Sequence, residues 1–361
     1  MLSWIPLLLV GCFVLPAWGQ ETNWEKEWNR ILAVAKKEGR VVVSGPPNPV
    51  ARVEIPAKFK ERFGISVEYV GGGSSQLATR LKLEQQSGLS TIDVFLSGAT
   101  TPATVLYPEK MIDPVRPVLL LPEVVDPSKW KTGKLWFMEP EDKYILRLFN
   151  TVREIMHINT SSVKAASFKS IKDLLNPTWK GKISVASPTD AGTGSNTAAQ
   201  FYIRLGEDFV KKLFIDQKPF VSRDGRQMAD SLARGTYPIS LGAREEDIHR
   251  MKEEGLPVAT IFRLSDWPGT VTSGSGQVVL VRKAPNPNAA RVFINWIASK
   301  EGLEVYARAN RAGTTRNDIN ESFLPPEIIP TPGVNYFDSN SWEFTVTKRE
   351  EVRARVTEIT R

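Results

Sequence analysis

The sequence Ile65-Ser66-Val67-Glu68-Tyr69-Val70 leads directly into Gly71-Gly72-Gly73-Ser74-Ser75, and this stretch decides the fold. Its apolar first part predicts a strand, its small residues predict a turn, and Leu77 and Leu81 then recur at helical spacing. The same succession of strand, turn and helix occurs at residues 40–48 and again at 92–99. Repetition of this unit predicts a parallel sheet flanked by helices, in which ligands bind where strands end and helices begin.

The alternation of strands and helices continues in the second half of the chain. Residues 182–186 predict a strand, residues 187–195 predict a turn, and Ala198 and Phe201 mark the buried face of the helix that follows. A proline-rich stretch at 114–127 carries few helical signals and predicts the passage between two lobes. The expected division is a first lobe over 20–120, a second lobe over 121–255, a return to the first lobe over 256–312, and a linker and final helix over 313–361 that pack on the lobes.

The N-terminal residues predict export. Residues 1–19 contain no charged side chain, and their apolar run is too short to span a bilayer. Ala17 and Gly19 place small residues at the −3 and −1 positions of a cleavage site before Gln20, as in a secretory signal peptide, so the periplasm is the expected location. Cys12, the only cysteine, also fits a lipid-attachment site, and a lipoprotein is the alternative. After cleavage at Gly19 the chain has no thiol for a disulfide or a zinc site.

Composition and histidine spacing argue against several other classes of protein. The 361 residues are 41% hydrophobic and 24% charged, as in an ordinary soluble protein of two domains. The net charge of +7 is dispersed along the chain, so no nucleic-acid partner is expected. His157 and His249 lack the short spacing of a metal site, and the turn at 192–195 lacks the Gly-Lys pair of a nucleotide-binding loop. We therefore expect no metal, no cofactor and no catalytic residues.

Polar turns at strand ends are the candidate binding elements. Free backbone N–H groups at a helix start favour an anion or a carbonyl oxygen, and such turns occur at 71–75 and 187–195, one in each lobe. Arg147 and Arg244 are the cations best suited to pair with a carboxylate or a similar acid. The candidate ligand-binding residues are Gly45, Pro46, Asn48, Ser74, Ser75, Ser97 and Gly98 on the first lobe, and Thr189, Asp190, Thr193, Gly194, Ser195, Arg244, Trp267, Thr270 and Ser273 facing them.

Two longer stretches carry a family resemblance. Residues 173–183, which contain Asn176-Pro177-Thr178-Trp179-Lys180-Gly181, and residues 284–302, which begin Ala284-Pro285-Asn286-Pro287, resemble the family 1 extracellular solute-binding proteins, in the iron(III)- and thiamine-type branch. The resemblance covers nearly the whole mature chain. It implies a type II periplasmic binding protein fold, with two α/β lobes, each a mixed sheet flanked by helices, and a solute held in the cleft between them. It also implies delivery of that solute to the permease and ATPase subunits of an ABC-type importer; we expect a monomer.

The class of solute remains open among several alternatives. Family members that hold ferric ion use adjacent tyrosines after the strand that matches residues 238–242, and this chain has Ala243-Arg244-Glu245 there. A small anionic or polar solute is therefore expected, with ferric iron or a chelated metal as the alternative. A sensory binding module and a secreted enzyme are further alternatives, and the enzyme would use Asp190 and Glu245 as its acid and base.

Overall fold

The computed structural model describes residues 22–190 and 193–360. The expected signal peptide at 1–19 and Cys12 lie outside the described residues. In chain order the strands are β1 Arg40–Gly45, β2 Ser66–Gly71, β3 Val94–Ser97, β4 Ile112–Asp113, β5 Leu146–Arg147, β6 Thr151–Arg153, β7 Met156–Asn159, β8 Ile183–Ala186, β9 Phe220–Ser222, β10 Ile239–Leu241, β11 Val258–Ile261, β12 Thr270–Thr272, β13 Gln277–Val281 and β14 Phe337–Asp338. The α-helices are α1 Asn23–Glu38, α2 Pro49–Phe63, α3 Ser74–Gln86, α4 Pro122–Val125, α5 Thr193–Lys211, α6 Gly225–Ala233, α7 Glu245–Glu253, α8 Pro287–Ala298, α9 Lys300–Asn310 and α10 Arg349–Ile359.

The first lobe is built on a mixed sheet in the order β2-β1-β3-β13-β4, with β5 also paired to β13. Strands β1, β2 and β3 run parallel, as the repeated strand-turn-helix unit predicts, and β13 joins them antiparallel. All five residues of β13 are buried, and successive side chains point to opposite faces of the sheet. Val278 and Leu280 belong to the core under α1, α2 and α8, whereas Val279 and Val281 belong to the core under α3. The first lobe therefore has helices on both faces of its sheet.

Local signals fix the first helix. The Thr22 backbone N–H and hydroxyl both donate to the Glu25 carboxylate at 2.8 Å, and Gly39 ends the helix with a φ of 72°. Ile31 and Ala35 face the core with no exposed surface. The capping box and the glycine stop depend only on residues within a few positions of the helix end, so the local sequence specifies both ends of α1.

The second lobe has its own sheet in the order β11-β7-β10-β8-β9. Strands β10, β8 and β9 run parallel, so their carboxyl ends lie at one edge. Helix α5 packs over this sheet with Ala198, Phe201 and Phe209 buried, and α6 and α7 cover the other face through Met228 and Ile248.

A third, small sheet in the order β14-β12-β6 joins the lobes, and we call it the crossing sheet. Strand β6 leads from β5 of the first lobe to β7 of the second, and β12 leads back from β11 to β13. Strand β14 pairs with β12, and the chain then continues to α10, whose Val352 and Val356 are buried in the second-lobe core. The chain thus passes between the lobes three times within its described residues.

Two of the expected lobe boundaries require correction. The second lobe was expected over 121–255, yet Leu146–Arg147 pairs with Gln277–Val281 in the first sheet. The proline-rich stretch at 114–127 is no passage between lobes, because Val115, Leu119 and Val124 are buried in the first-lobe core. The return segment was expected over 256–312, yet Val258–Ile261 pairs with Met156–Asn159 in the second sheet. Periodicity identifies a strand but not its partner, which explains both errors.

The described part of the chain contains no helix that is both long enough and apolar enough to cross a membrane.

Candidate ligand-binding site

A cavity of about 530 Å³ opens at the carboxyl ends of β8, β9 and β10, and we call it the second-lobe pocket. The first residues of α5 and α7 and one residue of the crossing sheet complete its wall. The lining residues are Arg153, Ala186, Ser187, Asp190, Thr193, Gly194, Ser222, Arg223, Gly225, Gly242, Ala243, Arg244, Glu245 and Glu246. The position agrees with the prediction that ligands of such sheets bind where strands end and helices begin.

Gly194 lets helix α5 begin in direct contact with the end of β8. A Cβ atom at this position would lie 2.2 Å from the carbonyl oxygen of Ser187 and 2.5 Å from that of Ala186. Both separations are far shorter than a van der Waals contact, so the helix can start here only with glycine. Backbone N–H groups in a first helical turn have no partner within the helix and carry a partial positive charge, which favours an anion in the pocket.

Three arginines bring further donors to the second-lobe pocket. Nε of Arg223 donates to Asp190 at 2.7 Å, Nε of Arg244 donates to Asp247 at 2.6 Å, and Nη2 of Arg153 donates to Glu154 at 2.9 Å. The side chains of Arg223, Arg244 and Arg153 are 81%, 50% and 40% exposed. For Arg223 and Arg244, no other guanidinium nitrogen has a hydrogen-bond partner among residues 22–190 and 193–360. The pocket therefore offers forked donors that match carboxylate and phosphate oxygens.

Two acidic residues of the second-lobe pocket have pKa values shifted in opposite directions. The Ser187 hydroxyl and the Arg223 guanidinium lower the pKa of Asp190, so this carboxylate stays ionised. Burial, followed by the charge of Glu154, raises the pKa of Glu245. Glu245 also lies 3.7 Å from Arg153 and 3.6 Å from Nε2 of His249. The acid and base of the enzyme alternative thus line one pocket.

A smaller cavity of about 190 Å³ lies beside the crossing sheet, and we call it the crossover pocket. It shares Arg153 and Thr193 with the second-lobe pocket. Its other lining residues are Thr100, Glu154, Ile155, Asn196, Thr197, Gln200, Phe201, Trp267, Thr270, Thr272, Ser339, Asn340 and Arg349. Thr100 belongs to the first lobe, so this pocket reaches both lobes.

The candidate residues Trp267 and Thr270 line the crossover pocket, and Trp267 also belongs to the second-lobe core. Trp267 is 3% exposed and meets Phe201 edge-on at 5.3 Å, with the Arg204 guanidinium 4.7 Å from its ring. The Thr270 hydroxyl donates to the side-chain oxygen of Gln200. Both side chains are thus held by neighbours of their own lobe and present only one edge to the pocket.

Candidate residues of the first lobe lie at strand ends, as predicted, but not in the wall of either pocket. Gly45, Pro46, Ser74 and Ser75 follow or end β1 and β2. The Asn48 side chain accepts from the backbone N–H groups of residues 50 and 51 and donates to the carbonyl of residue 309, so it caps α2. The structure therefore gives Asn48 a packing role, and the other four stand apart from the second-lobe pocket.

The remaining candidates lie behind the pockets or at the joint between the lobes. Ser97 and Ser273 are buried, and the Ser273 hydroxyl donates to Asn340 at 3.2 Å. Gly98 lies so close to the crossing that a Cβ atom would be 3.3 Å from the Gly274 carbonyl oxygen. Ser195 is 4% exposed, and Thr189 is half-buried with its hydroxyl 3.3 Å from that of Ser187. Of the second-lobe candidates, Asp190, Thr193, Gly194 and Arg244 are the ones that line the larger cavity.

Arg147, expected to meet a ligand acid, has an internal role instead. Its side chain is 1% exposed and makes an ion pair with Asp338 at 2.6 Å. It also donates to the Phe149 carbonyl at 3.0 Å and to Asn150 at 2.9 Å, and it lies 4.0 Å from the ring centre of Trp136. The acid that it pairs with is therefore part of the protein and anchors β14.

Several lining residues escaped the sequence analysis. Ser222 and Arg223 end and follow β9, a three-residue edge strand with mixed exposure that periodicity does not detect. Arg153 ends β6, and its position in both pockets depends on how the crossing strands pair. Once β9 is known to pair parallel to β8, Ser222 and Arg223 are expected at the ligand-binding edge, because residues after the strands of a parallel sheet gather there.

Two α/β lobes, three crossing segments and polar pockets at strand ends define a two-lobed solute-binding protein. The family described as "Bacterial extracellular solute-binding protein" matches residues 54–328, and the chain belongs to this family of binding proteins. Its function is to capture a solute for import by an ABC-type system.

Among curated proteins, the chain is similar to the Fe(3+)-binding periplasmic protein of Serratia marcescens, with 26% identity over 301 residues, 78% of this chain and 81% of the relative. Among solved structures, it is similar to Trichodesmium IdiA in complex with iron and citrate, with a TM-score of 0.68, 17% identity and coverage of 89% and 99% of the two chains. It is also similar to AfuA from Actinobacillus pleuropneumoniae with bound fructose-6-phosphate, with a TM-score of 0.59, 20% identity and coverage of 90% and 99%. These structures confirm the predicted type II fold.

Proposed function

We propose that the second-lobe pocket binds the anionic group of a small organic solute, and that a phosphate ester is the class that fits best. The observation that supports this is the convergence of the α5 start, Arg223 and Arg244 on one cavity. Phosphate has three oxygens for such donors and interacts well with the positive end of a helix. AfuA, a protein of the same fold, holds fructose-6-phosphate.

Capture then proceeds by closure of the two lobes on the solute. The phosphate is held on the second lobe, and the polar strand ends of the first lobe, at Gly45, Ser74 and Ser75, contact the rest of the molecule when the lobes close. A solute that touches both lobes binds the closed form more tightly than the open form, and this differential affinity drives closure. Bending at the crossing sheet supplies the movement.

The partners and location follow from this role. The protein works as a monomer in the periplasm after removal of residues 1–19, and the closed form docks on the permease and ATPase subunits of the importer. A lipid anchor on Cys12 is the alternative form of the same protein. The solute is released unchanged.

Calorimetric titration with fructose-6-phosphate, inorganic phosphate and citrate tests the proposal. Arg244→Ala removes a donor from the pocket and should weaken phosphate-ester binding roughly 10-fold or more, since a hydrogen bond to a charged group contributes about 1.5–3 kcal/mol. Arg250→Ala is the matched control, because Arg250 lies on the same helix and pairs with the same Asp247 at 2.8 Å but does not line the pocket. Equal affinities of the two variants, or no binding of any phosphate ester by the wild type, would contradict the proposal.

A ferric chelate is the second candidate, because two of the similar proteins named above hold ferric iron or iron with citrate. In the part of the chain that the structure describes, no three His, Cys, Asp or Glu side chains lie close enough to hold a metal ion, and Ala243-Arg244-Glu245 follows β10 in place of adjacent tyrosines. A chelate that presents its own carboxylates to Arg223 and Arg244 avoids this difficulty. Tight binding of ferric citrate, together with weak binding of citrate and fructose-6-phosphate, would favour this candidate.

Two further measurements separate binding from turnover and import from sensing. If Asp190 and Glu245 act as an acid–base pair, mass spectrometry of the recovered solute will show a hydrolysed or rearranged product. Recovery of intact fructose-6-phosphate supports the binding role. Transport of labelled solute into cells with the importer genes, and its loss when this gene is deleted, distinguishes import from a sensory role.

A further inference from the structure

The crossover pocket contains an arginine with an unusual environment. Arg349, at the first position of α10, is half-buried and lines the pocket. Its Nη1 donates to the Thr100 hydroxyl of the first lobe at 2.6 Å. Among the residues placed by the structure, no carboxylate oxygen lies within ion-pair distance of this guanidinium.

The other arginines of the two pockets differ in this respect. Arg153, Arg223 and Arg244 each have a carboxylate partner at 2.6–2.9 Å. Burial without a counter-ion lowers the pKa of Arg349, and the neighbouring Glu350 only partly offsets this effect. A desolvated cation of this kind gains more from an incoming anion than a cation that must first release its own partner.

Other polar groups line the same pocket as Arg349. Glu154 is 10% exposed, and its Oε2 is buried without a hydrogen-bond partner among residues 22–190 and 193–360. This oxygen is an acceptor for a hydroxyl or ammonium group of a solute. Asn340 and Thr193 add an amide and a hydroxyl to the same wall, and Thr193 and Arg153 connect it to the second-lobe pocket.

We propose that Arg349 and Arg153 form a second anion subsite in the crossover pocket, so that the protein prefers solutes with two separated anionic groups over solutes with one. This inference rests on the proposed function and specifies its substrate class: a hydroxylated bisphosphate or a phosphate ester that also carries a carboxylate. One anionic group occupies the second-lobe pocket, and the other occupies the crossover pocket. Arg349 touches Thr100 of the first lobe, and α10 packs on α5 of the second, so an anion bound there also ties the lobes together.

Titration of one protein with a hexose bisphosphate and a hexose monophosphate tests the inference. We expect the wild type to bind fructose 1,6-bisphosphate at least 10-fold more tightly than fructose-6-phosphate. Arg349→Gln should remove most of this preference, with roughly a 10- to 100-fold loss for the bisphosphate and little change for the monophosphate. Arg349→Lys keeps the charge and should recover part of it. Arg353→Gln is the matched control, because Arg353 lies one turn along the same helix and pairs with exposed Glu350.

The outcomes separate the two proposals. Binding of the monophosphate, with no gain for the bisphosphate and no effect of Arg349→Gln, overturns the second subsite and leaves the proposed function intact. Equal losses in Arg349→Gln and Arg353→Gln also overturn it, because helix stability would then explain the effect. Failure of every phosphate ester to bind the folded wild type overturns both.

Discussion

Replacement of Gly194 by alanine tests the central contact of the second-lobe pocket. In the native structure the helix start abuts the end of β8, and the added Cβ would lie 2.2 Å from the Ser187 carbonyl oxygen. Ordinary contacts start at 3.4 Å, so α5 must retreat by about 1.2 Å or β8 must yield. Neither element moves freely, because Ala198 and Phe201 on α5 are fully packed in the core.

Overpacking of a well-packed site costs about 1–3 kcal/mol, and a clash with backbone on two sides lies at the upper end. A loss of about 3 kcal/mol lowers the melting temperature of a unit of this size by about 6–12 °C. The displaced helix start also removes N–H donors from the pocket, so binding of fructose-6-phosphate should weaken roughly 10-fold or more.

Gly73→Ala is the matched control for this experiment. Gly73 is the residue directly before α3 of the first lobe and has a φ of −66°, and a Cβ there would meet nothing within 4 Å. Its cost should stay within about 1 kcal/mol, the scale of a changed helix cap. Thermal melting followed by circular dichroism and calorimetric titration measures both variants. If Gly194→Ala melts and binds like Gly73→Ala, helix α5 does not begin against β8 and the geometry of the pocket is wrong.

Two further variants test the electrostatics of the buried interior. Burial lowers the pKa of His157 from 6.5 to about 4. Between these pH values the imidazole is protonated in the unfolded chain and neutral in the folded chain. The free energy of unfolding should therefore fall by about 3 kcal/mol as the pH drops from 6.5 to 4. Urea unfolding across this window should show a flatter pH dependence in His157→Gln, and an unchanged slope would contradict the assignment. Asp338→Ala leaves Arg147 buried without its carboxylate and should cost about 2–3 kcal/mol, less than for a fully buried pair because Asp338 is 22% exposed. Glu61→Ala breaks the exposed pair with Lys58 and should lower the free energy of unfolding by at most about 1 kcal/mol in the same assay. If Asp338→Ala costs no more than Glu61→Ala, Arg147 is not held by Asp338.

The sequence predicted elements whose signals are local. The box at Thr22 and Glu25 specifies the start of α1, and Gly39 specifies its end. The apolar run before Gly71 specifies β2, and the alternation of such runs with helices specifies parallel strands. These signals act over a few residues, so a single sequence suffices to detect them.

Features that depend on distant pairing were not predictable in this way. Arg147 pairs with Asp338, which lies 191 residues further along the chain. The sequence does not reveal this pairing, so Arg147 was predicted to bind an acidic group of the ligand. Arg153 enters two pockets only because β6 pairs with β12. The predicted positions at strand ends and helix starts coincide in part with the lining of the second-lobe pocket, and Arg153 and Arg223 are lining residues that the sequence analysis did not include.

The pairing of those arginines determines what an anion gains on binding. Asp190, Asp247 and Glu154 already form ion pairs with Arg223, Arg244 and Arg153, so an anion that bound any of these arginines would compete with a carboxylate. The electrostatic free energy gained at such a site is the small difference between the new arginine–anion pair and the arginine–carboxylate pair that it replaces. The geometry of the hydrogen bonds, rather than the charge, therefore sets the affinity there.

Arg349 follows the opposite rule, because its present partner is a neutral hydroxyl. An anion at this guanidinium would replace no carboxylate, so its charge-assisted hydrogen bond would not be offset by the loss of an existing ion pair. Discrimination between solutes should therefore depend more on the group that reaches the crossover pocket than on the group in the larger one. The strongest test of specificity is thus a series of phosphate esters that share one phosphate and differ only in the charge at the other end.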